Sequence, residues 1–341
     1  MHQKGKKILV LVLLLILKNS FIMAQERPYK GENDPHILKE VRTFLKTLNS
    51  GDGKPIEQLS PAEARQVLIG AQESVTFDYS TIKEAERKIS QNGYDVNIHI
   101  VKPIDVQDNA PVFIFIHGGG WVLGDYPTHR RLVRDLVVSS GAVAVFPDYT
   151  PSPEAQYPVA INEIYAVTQW VSEHGKNLAV VGNSVGGNMA AVIAQMAKDK
   201  KDPKIKLQVL LWPVTDANFD TESYNLFANE RFLTKNMMKW FWDNYLPDTN
   251  KRLEIYASPL QASLSQLHGL PPALVQTAGN DVLRYEGEAY ARKLDEAGVN
   301  VTLTRYSGLI HDYGLLNPIA HIPAIQNAIL QAGSVIKETL K

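Results

Sequence analysis

The chain has 341 residues, 45% of them hydrophobic and 21% charged, with 35 basic residues against 36 acidic ones and no cysteine. This composition excludes a disordered chain, and the missing cysteine excludes disulfides, thiolate metal sites, iron–sulfur clusters and a cysteine nucleophile. The near-neutral balance lacks the basic excess of a nucleic-acid binder, so no nucleic-acid partner is expected.

At the start of the chain, Lys4, Lys6 and Lys7 precede the apolar run Ile8–Leu17, Lys18 and Asn19 interrupt it, and the small residue Ala24 follows. This pattern predicts a secretory signal peptide over residues 1–24 and a mature domain over 25–341, with a retained anchor as the alternative. The run is about half the ~20 residues a membrane helix needs. A secreted or periplasmic protein, with no stable membrane insertion after processing, is therefore expected. Ile37, Leu38, Val41, Phe44, Leu45 and Leu48 then repeat at helical spacing, which predicts an amphipathic helix over 34–48. Ser60-Pro61-Ala62-Glu63 reads as an N-cap, a first-turn proline and a capping-box glutamate that open a second helix.

Beyond residue 75 the pattern becomes strand-like. Val75–Tyr79 and Val96–Val101 suit strands, and Val112–Ile116 is continuously apolar, as in a strand buried on both faces. Similar runs recur at Ala142–Phe146, Leu178–Val181, Leu207–Trp212, Ala273–Thr277 and Val299–Arg305, with helices predicted over 128–139, 158–173, 185–199, 286–297 and 318–339. Buried strands alternating with helices predict an α/β fold with a mostly parallel sheet. An aromatic-rich helical stretch, 216–250, interrupts the alternation and reads as an insertion covering the top of the sheet, part of it ordinary core and part a lid.

Two motifs carry chemistry. Gly182-Asn183-Ser184-Val185-Gly186 is G-x-S-x-G between an apolar run and a helix, the strand–turn–helix setting of a nucleophile elbow. His117-Gly118-Gly119-Gly120-Trp121 follows the buried run 112–116, and its glycines leave backbone N–H groups open to a developing oxyanion. A phosphate-binding loop would need a later Gly-Lys-Ser/Thr, which is missing. A serine hydroxyl needs a base, and the base an orienting acid. Of the three later histidines, His311 follows a strand across a short loop, whereas His268 reads as an exposed loop residue and His321 as a packing or surface residue of the last helix. Asp281 also follows a strand. Asp312 is expected to point away from its neighbour His311, and Glu286 and Glu288 read as solvated helix charges.

From about Leu59 to the C-terminus the sequence resembles the hormone-sensitive-lipase-like esterases, the branch of the α/β-hydrolases with an HGGG loop. The resemblance rests on His117–Gly120, Asp148-Tyr149-Thr150-Pro151-Ser152-Pro153-Glu154, the Gly182–Gly187 elbow, Ala257-Ser258-Pro259-Leu260, Leu270-Pro271-Pro272-Ala273, Asp281-Val282-Leu283-Arg284 and His311-Asp312-Tyr313. It implies an α/β-hydrolase fold, a triad of Ser184, Asp281 and His311, and an oxyanion hole from the backbone N–H groups of Gly119, Gly120 and Val185. It also implies a helical cap from about 25–72 and about 216–250. Two departures stand out: Asn183 replaces the family's aspartate and Val185 its alanine.

The expected activity is a serine carboxylic-ester hydrolase acting on short- to medium-chain esters, with a small-molecule ester as partner. No metal or organic cofactor is implied. Oligomeric state is open between a monomer and a homodimer. Amidase, peptidase or lactonase activity on the same triad is the alternative. A non-catalytic binding protein, as in the gibberellin receptors that resemble these esterases, is disfavoured because His311 is present.

Overall fold

The computed structural model describes residues 29–106, 110–173 and 177–341. The expected signal peptide and its cleavage point therefore lie outside the described residues. Eight strands form one sheet: β1 Ile82–Gln91, β2 Tyr94–Pro103, β3 Val112–Ile116, β4 Val143–Pro147, β5 Leu178–Asn183, β6 Leu207–Leu211, β7 Ala273–Asn280 and β8 Val301–Ile310. Their spatial order is β1-β2-β4-β3-β5-β6-β7-β8. The first two strands form an antiparallel hairpin that joins antiparallel to β4, and every later pairing is parallel. The hairpin turns at Asn92-Gly93, both with positive φ, the chemistry a two-residue turn requires.

Helices α1 Lys39–Asn49, α2 Pro61–Glu73, α3 Tyr126–Ser140, α4 Val159–Ser172, α5 Val185–Lys200, α6 Glu222–Leu226, α7 Lys235–Tyr245, α8 Leu264–Leu267, α9 Arg284–Glu296 and α10 Pro323–Leu340 surround the sheet. The pleat of β3 shows how the core divides. Val112, Ile114 and Ile116 face a cluster that includes Ile161 and Ile164 of α4, Met189 and Ile193 of α5 and Leu294 of α9. Phe113 and Phe115 face the opposite cluster, with Leu132 and Leu136 of α3 and Ile325 and Ile336 of α10. Each face of the sheet is thus covered by helices, as continuous apolar strands demand. Among the described residues no helix is long and apolar enough to cross a membrane.

The sequence places one strand wrongly. Val75–Tyr79 is not extended in the sheet; the strand there is β1, whose Lys-Glu-Ala-Glu-Arg-Lys centre is exposed, with Ile82 and Ile89 its buried residues. An edge strand with six consecutive exposed residues, solvated on both faces, has none of the apolar run that marks its neighbours. The last helix also starts later than expected, at Pro323, so His321 precedes it and pairs with Glu40 at the surface. The stretch 216–250 holds α6 and α7 as expected, and Tyr224, Phe227, Met238, Phe241 and Trp242 join the core cluster of the α4/α5/α9 face.

Candidate active site

Four parallel strands end on the same side of the sheet, and each delivers one part of the site. Strand β5 runs into Ser184, which caps α5 with φ 55° and ψ −123°. A side chain rarely adopts this left-handed geometry, and strain of this kind collects at functional positions. The turn is tight because Gly182 and Gly186 nearly touch: a Cβ on Gly182 would lie 2.1 Å from the Gly186 carbonyl oxygen. Val185 is the first residue of α5, so its N–H has no partner within the helix and stays available next to the nucleophile.

His311 directly follows strand β8 and Asp281 directly follows strand β7. The His311 ring joins the other two residues: Nε2 is 3.0 Å from Ser184 Oγ and Nδ1 is 2.7 Å from Asp281 Oδ2. An ionised carboxylate only accepts, so Nδ1 carries the proton and Nε2 accepts from the serine hydroxyl. The Leu283 N–H donates to Asp281 Oδ1 at 3.0 Å and fixes the carboxylate plane. All three side chains are buried. The sequence-expected Ser184, Asp281 and His311 are therefore brought into one hydrogen-bonded row.

Strand β3 supplies the glycine loop. Gly120 has φ +64°, and a Cβ there would sit 2.1 Å from the Phe241 ring of α7. Trp121, the next residue, stacks on Tyr245 at 4.1 Å and meets Trp242 edge-on at 4.8 Å. The aromatic insertion thus packs directly on the loop. His117 opens it; burial pushes its pKa down to about 4, and the neutral ring pairs through Nδ1 with the Gly118 carbonyl at 2.8 Å.

Asp312 departs from expectation. It does not point away from the histidine: its Oδ2 is 3.8 Å from His311 Nε2. The backbone at Asp312 is left-handed, φ 55°, which turns the side chain back toward the ring. Trp212 Nε1 and Asn183 Nδ2 then hold Oδ1 by donating at 2.7 and 3.2 Å. Asn183 also accepts from the Gly118 N–H at 3.0 Å. The departure from aspartate is intelligible here, because an amide can donate to Asp312, whereas a second carboxylate would repel it.

Glu286 and Glu288 are corrected too: both are buried. Glu286 Oε1 accepts from the N–H groups of Thr215 and Asp216 at 2.7 and 3.2 Å, and burial pushes its pKa well above the usual carboxylate range. Glu288 pairs with Arg305 through two 2.6 Å bonds. Their sequence surroundings are those of an ordinary charged helix, and only the fold shows that they flank, on either side, the buried face of α9 formed by Gly287, Tyr290, Ala291 and Leu294. His268 is exposed, as expected, with Nδ1 2.9 Å from the Ala297 carbonyl.

Comparison with known proteins gives the family. A family model described as the alpha/beta hydrolase fold matches residues 113–315. The chain is similar to carboxylesterase NlhH of Mycobacterium tuberculosis, 32% identical over 330 residues that cover 93% of this chain and 99% of that protein. Among solved structures, a thermostable esterase from Pseudomonas putida ECU1011 is 60% identical with a TM-score of 0.89, covering 91% of this chain and 99% of the other. A fungal esterase from Rhizomucor miehei is 37% identical with a TM-score of 0.81, over 87% of this chain and 95% of its own.

Proposed function

The chain belongs to the hormone-sensitive-lipase-like esterases of the α/β-hydrolase superfamily and is a serine carboxylic-ester hydrolase, and from that premise we propose that it works through an acyl-enzyme on Ser184 and takes short- to medium-chain esters. The observation that carries the acyl-enzyme is the unbroken row from Asp281 through His311 to Ser184 Oγ, at 2.7 and 3.0 Å.

Ser184 Oγ attacks the ester carbonyl carbon while His311 Nε2 takes the hydroxyl proton. The carbonyl oxygen becomes an anion, which the N–H groups of Gly119, Gly120 and Val185 stabilise. Asp281 holds the Nδ1 proton and balances the imidazolium. Collapse of the intermediate breaks the bond to the leaving oxygen, which receives the proton from Nε2 and departs as the alcohol. Water, deprotonated by His311, then attacks the acyl carbon and releases the acid and free Ser184. The aromatic cover from α7, with Phe241 against Gly120, supports the preference for shorter chains. The N-terminal segment of about 25–72 and the insertion of about 216–250 act as the cap in this reading.

Hydrolysis of p-nitrophenyl esters from acetate to palmitate, beside matched p-nitroanilides, tests the reading. Esters of short and medium chains should give the highest kcat/KM, with anilides far slower. Faster anilide cleavage, or a maximum at palmitate, would reject it.

Export is part of the same proposal, supported by the lysine–apolar–Ala24 pattern of the N-terminus. Mass spectrometry of the protein from its native host should find a chain beginning at or near Gln25. An intact Met1–Leu17 segment in the mature protein contradicts it.

A further inference from the structure

Helix α2 is opened by the Ser60/Glu63 capping box, with Glu63 N–H donating to Ser60 Oγ and Ser60 N–H to Glu63 Oε2. Its inner side carries two polar residues, Arg65 and Gln72, seven positions apart. Seven residues are two helical turns, so both side chains leave the same face about 10 Å apart along the axis. They hold two different parts of the site.

Arg65 reaches the loop after β3. Its Nε donates to the Val122 carbonyl at 2.8 Å and its Nη2 to the Ser152 carbonyl at 3.1 Å. Its two Nη atoms also fork onto Glu154, each at 2.7 Å. Val122 is tied to the oxyanion loop, because the N–H groups of Val122 and Leu123 donate to the Gly119 carbonyl at 3.2 and 2.7 Å. Gln72 reaches the loop after β8. Its Nε2 donates to the Leu315 carbonyl at 2.9 Å and the Thr128 carbonyl at 2.6 Å, and its Oε1 accepts from the Asn317 N–H at 3.0 Å. Leu315 belongs to the turn of the histidine, with its N–H on the Asp312 carbonyl at 2.8 Å.

Gln72 is buried, and its amide spends one donor and its oxygen on this loop, at Leu315 and Asn317, and its other donor on the Thr128 carbonyl of α3. The N-terminus of α2 is capped by its own residues, and at its C-terminus the Gln72 carbonyl accepts from Asn317 Nδ2 at 2.9 Å, a further tie to the loop after β8. What these bonds fix is the distance between two loops that leave separate strands, β3 and β8, and that Asn183 also links from the Gly118 N–H to Asp312.

We propose that α2 is a brace that sets the register between the oxyanion loop and the base, with Arg65 and Gln72 as positioning residues. The proposal rests on the esterase reading above. Oxyanion donors work only at the spot where charge develops, and a displacement of about 1 Å costs roughly 10²-fold in rate. Loosening the brace should therefore lower kcat while leaving ground-state binding nearly untouched.

The test uses the full chain, with rates normalised to Ser184 titrated by a p-nitrophenyl phosphonate. Arg65→Ala and Gln72→Met should each lower kcat on p-nitrophenyl acetate by about tenfold or more, with KM within about twofold. Affinity for a trifluoromethyl ketone, which forms the tetrahedral adduct, should fall in parallel. Ile89→Ala, in the core of the distant edge strand β1, is the control: a comparable loss of Tm should leave kcat as it was. If Arg65→Ala does not fold, Arg65→Lys replaces it. Lysine keeps the charge opposite Glu154 but is a point donor that cannot span Glu154 and both carbonyls, so kcat should still fall while Tm is largely kept. Unchanged kcat in the folded variants, with a lowered Tm alone, overturns the brace. Absence of ester turnover and of phosphonate labelling in the unsubstituted protein would instead overturn the esterase reading, and the brace with it.

Discussion

His311 lies between two carboxylates of unequal role. Burial of the ring disfavours its charged form, yet the charges of Asp281 and then Asp312, with the hydrogen bond the ring donates to Asp281, raise its pKa above the ordinary histidine value. The base must be neutral to accept the serine proton, so kcat/KM should rise with pH through a midpoint above about 6.5. Asp312→Asn removes one negative charge and keeps an oxygen to accept from Trp212 and Asn183, so the midpoint should move to lower pH while plateau turnover stays within about tenfold. Asp281→Asn favours the wrong tautomer and should cost about 10⁴-fold, by the serine-protease precedent. A pH–rate profile of both variants decides the assignment: a crippled Asp312→Asn beside a nearly normal Asp281→Asn would make Asp312 the orienting acid. The nucleophile, base and acid candidates were legible in the sequence because each follows a strand in the order Ser, Asp, His. The orientation of Asp312 was not, because it depends on one left-handed backbone angle and on donors 100 and 129 residues away.

At the scale of elements, legibility followed burial. Strands β3, β5 and β6 are buried at every residue and stood out as apolar runs, and α5 followed from the elbow. Strand β1 did not stand out: it buries Ile82 and Ile89 and is charged between them. Its place is set by ten paired positions with β2, which is information held in the partner strand. Helix α2 shows the complementary case. Its capping box located it to the residue, but what it does was invisible, because Arg65 and Gln72 reach backbone carbonyls at Val122, Ser152, Thr128 and Leu315, and a carbonyl leaves no trace in residue type. The aromatic residues of α7 were visible as a group. Which of them touches the site is a matter of packing, Phe241 against Gly120 and Tyr245 against Trp121.

For the molecule as a whole, the sheet order explains why one chain can bring residues 119, 184, 281 and 311 together: β3 and β5 are neighbours, β7 lies two strands beyond β5, and β8 is its outer neighbour. All four are parallel, so their C-terminal ends share one edge, where ligands bind in open α/β sheets. Ser184 is the residue proposed to form the covalent intermediate. The most direct test is intact mass spectrometry after treatment with a p-nitrophenyl phosphonate, followed by peptide mapping and paired with Ser184→Ala. The account predicts one adduct per chain on the peptide that carries Ser184, loss of ester turnover in proportion to labelling, and neither labelling nor measurable turnover in the folded variant, since triad losses reach ~10⁶-fold. An adduct on another residue, or a Ser184→Ala protein that keeps more than about a tenth of its ester turnover, would contradict it.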